Sequence, residues 1–386
     1  MTETVSEVPV ARPKDWTNIL FLSLTPVIGV FGTLAYALKF GVTWWEPVLF
    51  LASYLLVGLS VTAGYHRLYA HKGYEAHPLV HAFFLFFGAM ALQNSVLKWA
   101  SDHRIHHKYV DRDWDPYSIK RGGLSAHIFW LFYKDAPDRT FDNAPDLQNN
   151  RLVMLQYRYA AWIGILFGLG IPTLIGAAFG RPLGGLLWGG FLRIVVIHHT
   201  TFFVNSIAHM WGSRPYSDEN SARDNWMLAF VTNGEGFHNF HHKFPSDYRN
   251  GIRWFDWDPT KWLIRSLHAV GLAKQLRYTP RPIIEKARLR MATLEVQSRL
   301  PNVPAEIGEA VRLRLDQAAH FLERASTHWT RAQEKKRAWQ ERGRERSSAL
   351  LTTARRSLRA QRACLLRARA EWRGAVRTLS RTPEQA

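Results

Sequence analysis

Cysteine is all but missing: Cys364 is the single one in 386 residues. No internal disulfide is possible and no thiolate cage can form, so any metal must be held by nitrogen and oxygen. The first fourteen residues mix acids and bases and lack the apolar core and cleavage site of a secretory leader. The first apolar run is therefore expected to be a retained span. Acids are short against bases, 31 to 50, giving a net charge of +19 at pH 7, about 13 of it after Glu285. Nothing resembles a groove-reading motif, so nucleic acid is not expected as a partner, whereas a membrane surface is.

What is present is unevenly spread. A mean hydropathy of −0.19 averages apolar runs in the first two thirds with a basic tail. The runs 19–38, 47–64, 161–179 and 183–203 each approach the ~20 residues that cross a bilayer. Sixteen tryptophans fit anchoring at its interfaces. The expected architecture is all-α and integral to a membrane, with four spans, a helical cap and a C-terminal helical extension. The expected divisions are an N-terminal segment 1–18, a membrane domain 19–282 and an extension 283–386. The apolar stretch 77–93 is short and polar-flanked, and is expected to lie in the interface.

Histidine carries the chemistry. His103, His106 and His107 form an H-x-x-H-H cluster, repeated by His238, His241 and His242, with His66 and His71 upstream. Offsets of three and four put rings on one helical face, a poor arrangement for packing and a good one for a metal. His66 and His71, five apart, do not share an α-helical face, and are expected where the second span loosens as it emerges. His209 is a ninth candidate, with Asn205 one turn before it as a holder of metal-bound water. Neutral imidazole suits iron, copper and zinc near pH 7, and this many rings exceed what one ion needs. Asp102, Asp111, Asp113 and Asp115 are available to orient ring N–H groups. His198, His199 and Arg193, inside the fourth span, are assigned to packing, and the remaining histidines to ordinary surface or polar roles.

Topology adds a constraint. Two crossings separate the earlier clusters from the last, so all return to one side, together with both termini. Lysine and arginine concentrate there, which makes that side cytoplasmic by the positive-inside rule. Redox metals at the rim of a membrane bundle point to dioxygen chemistry on an unactivated C–H bond of a lipid chain.

After Pro304, Val311, Leu315, Ala318, Leu322, Ala325, Trp329 and Ala332 alternate spacings of four and three. After Gly343, Leu351, Leu358, Leu365, Trp372 and Leu379 recur every seven. Two helices with coiled-coil seams are expected, as an antiparallel hairpin or a self-association contact. The arginines around them are expected to be a solvated face or, more pointedly, a contact for anionic lipid.

Across residues 15–277 the pattern resembles the membrane fatty acyl desaturases, specifically the acyl-CoA delta-9 (stearoyl-CoA) type. The resemblance rests on the histidine clusters, Asn205 and His209, Gln93-Asn94, Trp99, Asp102, Tyr216, Glu235 between two glycines, and Tyr248. It implies a four-span, mushroom-shaped fold with a cytosolic cap and a di-iron centre. One iron would be held by His66, His71, His103, His107 and His241. The other would be held by His106, His209, His238 and His242, with a water on Asn205. It further implies dioxygen as co-substrate and removal of hydrogen at C9, then C10, of a saturated acyl chain, leaving a cis double bond and water. No haem-binding His-Pro-Gly-Gly segment is present, so two electrons are expected from a separate b-type cytochrome, ferredoxin or similar carrier.

The departures concern the head group. Ser101 stands where the family has an arginine, and Lys134-Asp135 where it has an Arg-Lys pair. Asn94, Asp102 and Lys134 remain the expected head-group contacts. Acyl-CoA is the leading substrate, with an acyl-lipid or acyl-carrier thioester as alternatives. A di-iron fatty acid or alkane hydroxylase is the rival activity, and a metal-binding transporter or scaffold the non-enzymatic one. The Asn205 and His209 element favours desaturation, and ligands at the rim disfavour a transporter.

Overall fold

The computed structural model describes residues 13–134, 140–341 and 348–380. Most of the expected N-terminal segment, Asp135 and Gly343 lie outside them, as do the side chains of Leu351 and Leu379. The chain forms two compact units, Met1–Ser213 with Asn220–Tyr278, and Arg214–Glu219 with Thr279–Ala386.

Four helices of the first unit are long and apolar enough to cross a bilayer: Trp16–Phe40, Trp45–Ala70, Arg151–Ala178 and Pro182–Met210. All overrun the apolar stretches, because caps end a helix and loss of hydropathy does not. The third starts ten residues early since the Asn150 side chain accepts the Leu152 and Val153 amides at 3.0 and 3.2 Å. Outward side chains such as Phe31, Leu38, Leu166 and Leu174 are exposed, which is sensible only against lipid. Inward, the third span buries Gly164, Gly168, Pro172 and Gly176, one per turn. A Cβ on Gly176 would sit 2.9 Å from the Gly185 backbone, so the third and fourth spans touch backbone to backbone.

The segment 77–93 holds a helix only at Pro78–Ala89, too short to cross. Arg193, buried in the fourth span, clamps its end. The guanidinium donates to the carbonyls of Met90, of Gly168 (2.7 Å) and of Gly189 (3.1 Å). A buried cation is tolerable there because peptide dipoles surround it. Among the described residues the one sheet is a two-residue ladder pairing Glu75–Ala76 with Ala273–Lys274, antiparallel, beside three isolated bridges.

The second span ends in π-helical winding, Ser60–Ala70. The His71 amide donates to the His66 carbonyl at 3.1 Å, five residues back. Under i→i+5 winding, residues five apart stack on one face. His66 and His71 therefore do share a face, contrary to the α-helical expectation.

In the second unit, helices Arg281–Arg299, Ala305–Glu341 and Ser348–Ser380 follow one another. Val311 and Leu315 cluster with Ala375, whereas Leu322 and Ala325 cluster with Cys364, Leu365 and Ala368. Ascending positions on one helix thus meet descending positions on the next, an antiparallel hairpin within one chain. The seam of the last helix differs from the expected leucine series. Leu358 is 39% exposed, and Ala354, Gln361, Cys364, Ala368 and Ala375 are buried in its stead. Small residues let the helices approach closely, which a leucine period alone does not reveal.

Candidate metal centre

Two helices and two span ends supply the rings. The Val96–Tyr109 helix starts at Ser95, whose hydroxyl accepts the Lys98 amide at 3.2 Å, and ends in its histidine cluster. Residues four apart share a face, so His103 and His107 point one way and His106, a residue earlier, points another. The short His238–Lys243 helix repeats the device with His238 and His242 on one face and His241 off it. The exit of span two brings His66 and His71, and the end of span four brings His209.

These nine rings gather in two groups. His66, His71, His103, His107 and His241 present ring nitrogens within 4.8 Å of one another, and so do His106, His209, His238 and His242. Each histidine helix feeds both groups. The groups adjoin, for His107 stacks on His242 with ring centroids 4.3 Å apart. Inside the first group, Nε2 atoms are 2.8 Å apart for His71 and His103, 2.9 Å for His107 and His241 and 3.0 Å for His66 and His241. Inside the second they are 3.0 Å apart for His238 and His242, 3.1 Å for His209 and His238 and 3.3 Å for His106 and His242.

For four of the nine rings a neighbour at the opposite nitrogen bears on the tautomer. His66 Nδ1 lies 2.8 Å from a Glu235 oxygen, off the line of a straight hydrogen bond. His106 Nδ1 faces Asp115 at 2.8 Å, and His209 Nδ1 donates to the Ser221 hydroxyl at 2.7 Å, which in turn donates to Asp111. His103 Nδ1 meets the Tyr117 hydroxyl at 3.2 Å. Acceptors at Nδ1 keep the proton there and leave Nε2 bare. Bare lone pairs at ~3 Å repel, and a cation among them is what turns that repulsion into bonding. The donor set therefore fits two metal ions, each held by nitrogen. His71, His103, His107, His238, His241 and His242 titrate well below the ordinary histidine range, first because burial penalises the charged ring and then because neighbouring rings do. Neutral rings are the ligating form.

Glu235 ties the centre to the fold. It is buried, and burial alone would raise its carboxyl, yet Arg67 and His66 beside it hold it down at about 2. Arg67 donates to Glu235 at 2.8 Å, to Asp258 at 3.0 Å and to the Tyr248 carbonyl at 2.9 Å. Asn250 donates to the second Glu235 oxygen at 2.7 Å. Sequence reasoning gave no role to Glu235, Arg67, Tyr117 or Ser221. For Glu235 a signal existed: an acid between two glycines shortly before an H-x-x-H-H. Gly234 has φ +100°, and a Cβ on Gly236 would meet the Ala229 nitrogen at 2.2 Å, so the carboxylate is delivered by a turn only glycines allow.

A cavity of about 120 Å³ runs beside both groups, touching His66, His103 and His238, and on between spans one, two and four past Phe21, Leu22, Val61 and Ile197. Asn94, Asp102 and Asn205 line it, and Lys134 does not. Lys134 is exposed, its amide bonded to the Pro13 carbonyl, and Asp102 is paired with Lys98 at 3.1 Å. Asn205 ends a regular helix, and a tightened turn at Ser206 stands between it and His209, where an unbroken helix was expected. Asp113 is exposed and Asp102 faces Lys98; of the four candidate aspartates, Asp115 contacts a ring directly and Asp111 does so through Ser221. Of the residues assigned to packing, His198 lines the cavity and donates to the Ala91 carbonyl at 2.8 Å.

Against known proteins, the profile of the family described as fatty acid desaturase matches residues 43–274. The chain is 38% identical over 288 residues to "Acyl-CoA desaturase 1" of Saccharomyces cerevisiae, covering 74% of this chain and 56% of that protein. It is 34% identical to "Stearoyl-CoA desaturase 5" of Homo sapiens, covering 71% and 84%. It is 35% identical to "sn-2 palmitoyl-lipid 9-desaturase" of Nostoc sp., covering 69% and 91%. The alignment thus spans little more than half of the yeast protein.

Proposed function

The chain belongs to the fatty acid desaturase family and is an integral membrane protein, and from that premise we propose that it desaturates a saturated fatty acyl chain at the delta-9 position, with acyl-CoA as the substrate. The observation that carries the reading is the pair of bare-nitrogen histidine groups beside an apolar cavity that continues between the spans. His66, His71, His103, His107 and His241 would hold one iron, and His106, His209, His238 and His242 the other, with Asn205 facing the same space. Two irons so held would supply dioxygen activation and removal of two hydrogens, with two electrons drawn from an external carrier such as a b-type cytochrome or ferredoxin.

The chain's own residues do the rest. Phe21, Leu22, Val61 and Ile197 desolvate the alkyl chain and keep water away from it. Trp99 donates to Gln93 at 3.3 Å and Gln93 to Thr201 at 2.9 Å, a rigid polar brace across the cavity wall. Glu235, Asp115 and Ser221 keep protons on Nδ1 and hold the rings in place. Asn94 and Asp102 receive the head group, on the cytoplasmic side by the distribution of basic residues. An acyl-lipid substrate is the second reading. Ser101, where acyl-CoA desaturases carry arginine, is buried and bonded to Asn143 at 2.7 Å, so it offers nothing to a CoA phosphate. Similarity to the Nostoc lipid desaturase favours the same reading.

The test is expression in a host lacking its own desaturase, followed by lipid analysis. A new cis double bond at C9 is the expected product, and its appearance first in the acyl-CoA pool or first in phospholipid separates the two substrates. A hydroxylated chain, or a protein carrying zinc and no iron, would sink the proposal. His106→Ala and His238→Ala should each abolish product while the protein stays in the membrane.

A further inference from the structure

The extension beyond the family region presents a one-sided ladder of arginine. At 100° per residue, Arg355, Arg359, Arg362, Leu366, Arg369, Arg373 and Arg377 fall within about 80° of one another along the Ser348–Ser380 helix, over roughly 33 Å. Arg369 pairs with Glu285, while Arg355, Arg359, Arg362 and Arg373 are exposed, as is Leu366 at 54%. The apolar seam of the hairpin is already filled by Leu322, Ala325, Cys364 and Ala368, so the hairpin does not need a second copy to cover it.

Three features set this ladder apart from an ordinary solvated face. Like charges repeat at spacings of three and four, which weakens a helix standing alone in water. Glu371 is the one acid on this helix, whereas solvated faces mix both signs. No base on it is lysine; every one is arginine, whose planar fork pairs with phosphate oxygens two at a time. The ladder lies in the stretch Thr279–Ala386 of its unit, which follows in sequence the unit holding the four membrane-spanning helices. Covalent attachment to a membrane-spanning chain raises the effective concentration of headgroups around it.

We infer that this arginine face, with Leu366 at its centre, docks on the phosphates of an anionic bilayer surface. A straight row suits a plane, and an exposed leucine among guanidinium groups suits the boundary between headgroup and acyl chain. The inference does not depend on the proposed reaction, and its test reads no activity.

The full chain is placed in nanodiscs of neutral phosphatidylcholine, and in discs with phosphatidylglycerol added, and amide hydrogen exchange is followed over residues 352–378. Exchange at least about tenfold slower in the anionic discs is expected, and that slowing should vanish near 0.5 M salt, where screening shortens to a few ångströms. The quadruple variant Arg355→Glu, Arg359→Glu, Arg362→Glu, Arg373→Glu should lose the slowing while exchanging as the parent does in neutral discs. Equal exchange of the parent in both discs overturns the inference, as does slowing that survives high salt. Slowing that appears only when an acidic ferredoxin or cytochrome is added overturns it too, and assigns the face to an electron donor.

Discussion

Glu235 is where a single side chain governs most. Its Oε2 faces His66 and accepts from Asn250, and its Oε1 accepts from Arg67. Glu235→Gln keeps the shape, removes the charge that pins the His66 proton, and should lower iron affinity by about 10- to 100-fold. Metal analysis of the purified membrane protein against graded chelator checks this, and Asp115→Asn should do the same through His106. The pH response follows from the depressed histidines. Between their folded values and the ordinary ~6.5, the unfolded chain binds more protons than the folded one, so stability and metal retention hold above about pH 6.5 and decline as pH falls below it. Thermal unfolding with metal content, followed from pH 8 to pH 5, should show that sign. The rings themselves were legible because their spacing is local. Tyr117, Ser221 and Arg67 were not, since each meets its ring or carboxylate only through tertiary folding. Lys134 is exposed and does not line the cavity, so any head-group contact it makes would lie outside that space.

Among elements, the π-wound end of span two is the most consequential. Its extra residue per turn is what brings His71 under His66. Deleting one residue between Ser60 and Ala63 would restore α winding and swing one of the two rings off the group. Loss of about one iron per chain is expected, with the second group kept. The contact between spans three and four is equally specific. Gly176→Val drives a side chain into the Gly185 backbone and should cost about 1–3 kcal/mol, seen as a lower unfolding midpoint. Helix existence was readable from apolar runs and caps. Winding type was not, because it shows only in the five-residue hydrogen bonds of the folded span, and neither was the alanine seam of the last helix, which hides behind a louder leucine period.

For the molecule as a whole, the two units make a clean expectation. Removing residues 305–380 leaves all nine clustered histidines, the cavity and the four spans untouched, so the position of the double bond should not change. Chromatography of fatty esters from cells expressing the shortened chain tests this; a displaced double bond would give the extension a part in shaping the cavity. That the histidine clusters return to one side was open to sequence reasoning, since two crossings separate the earlier clusters from the last. How the short Pro78–Ala89 helix is clamped was not, because Arg193 reaches it from a segment a hundred residues away.

The nine imidazoles come from four stretches of polypeptide, the last ending at His242. During synthesis neither ion can be seated until that residue has left the ribosome, by which time both helical hairpins are already in the bilayer. If the ions are iron, their loading follows insertion of the spans, and cells starved of iron should accumulate an inserted, metal-free form, checked by metal analysis of the membrane fraction.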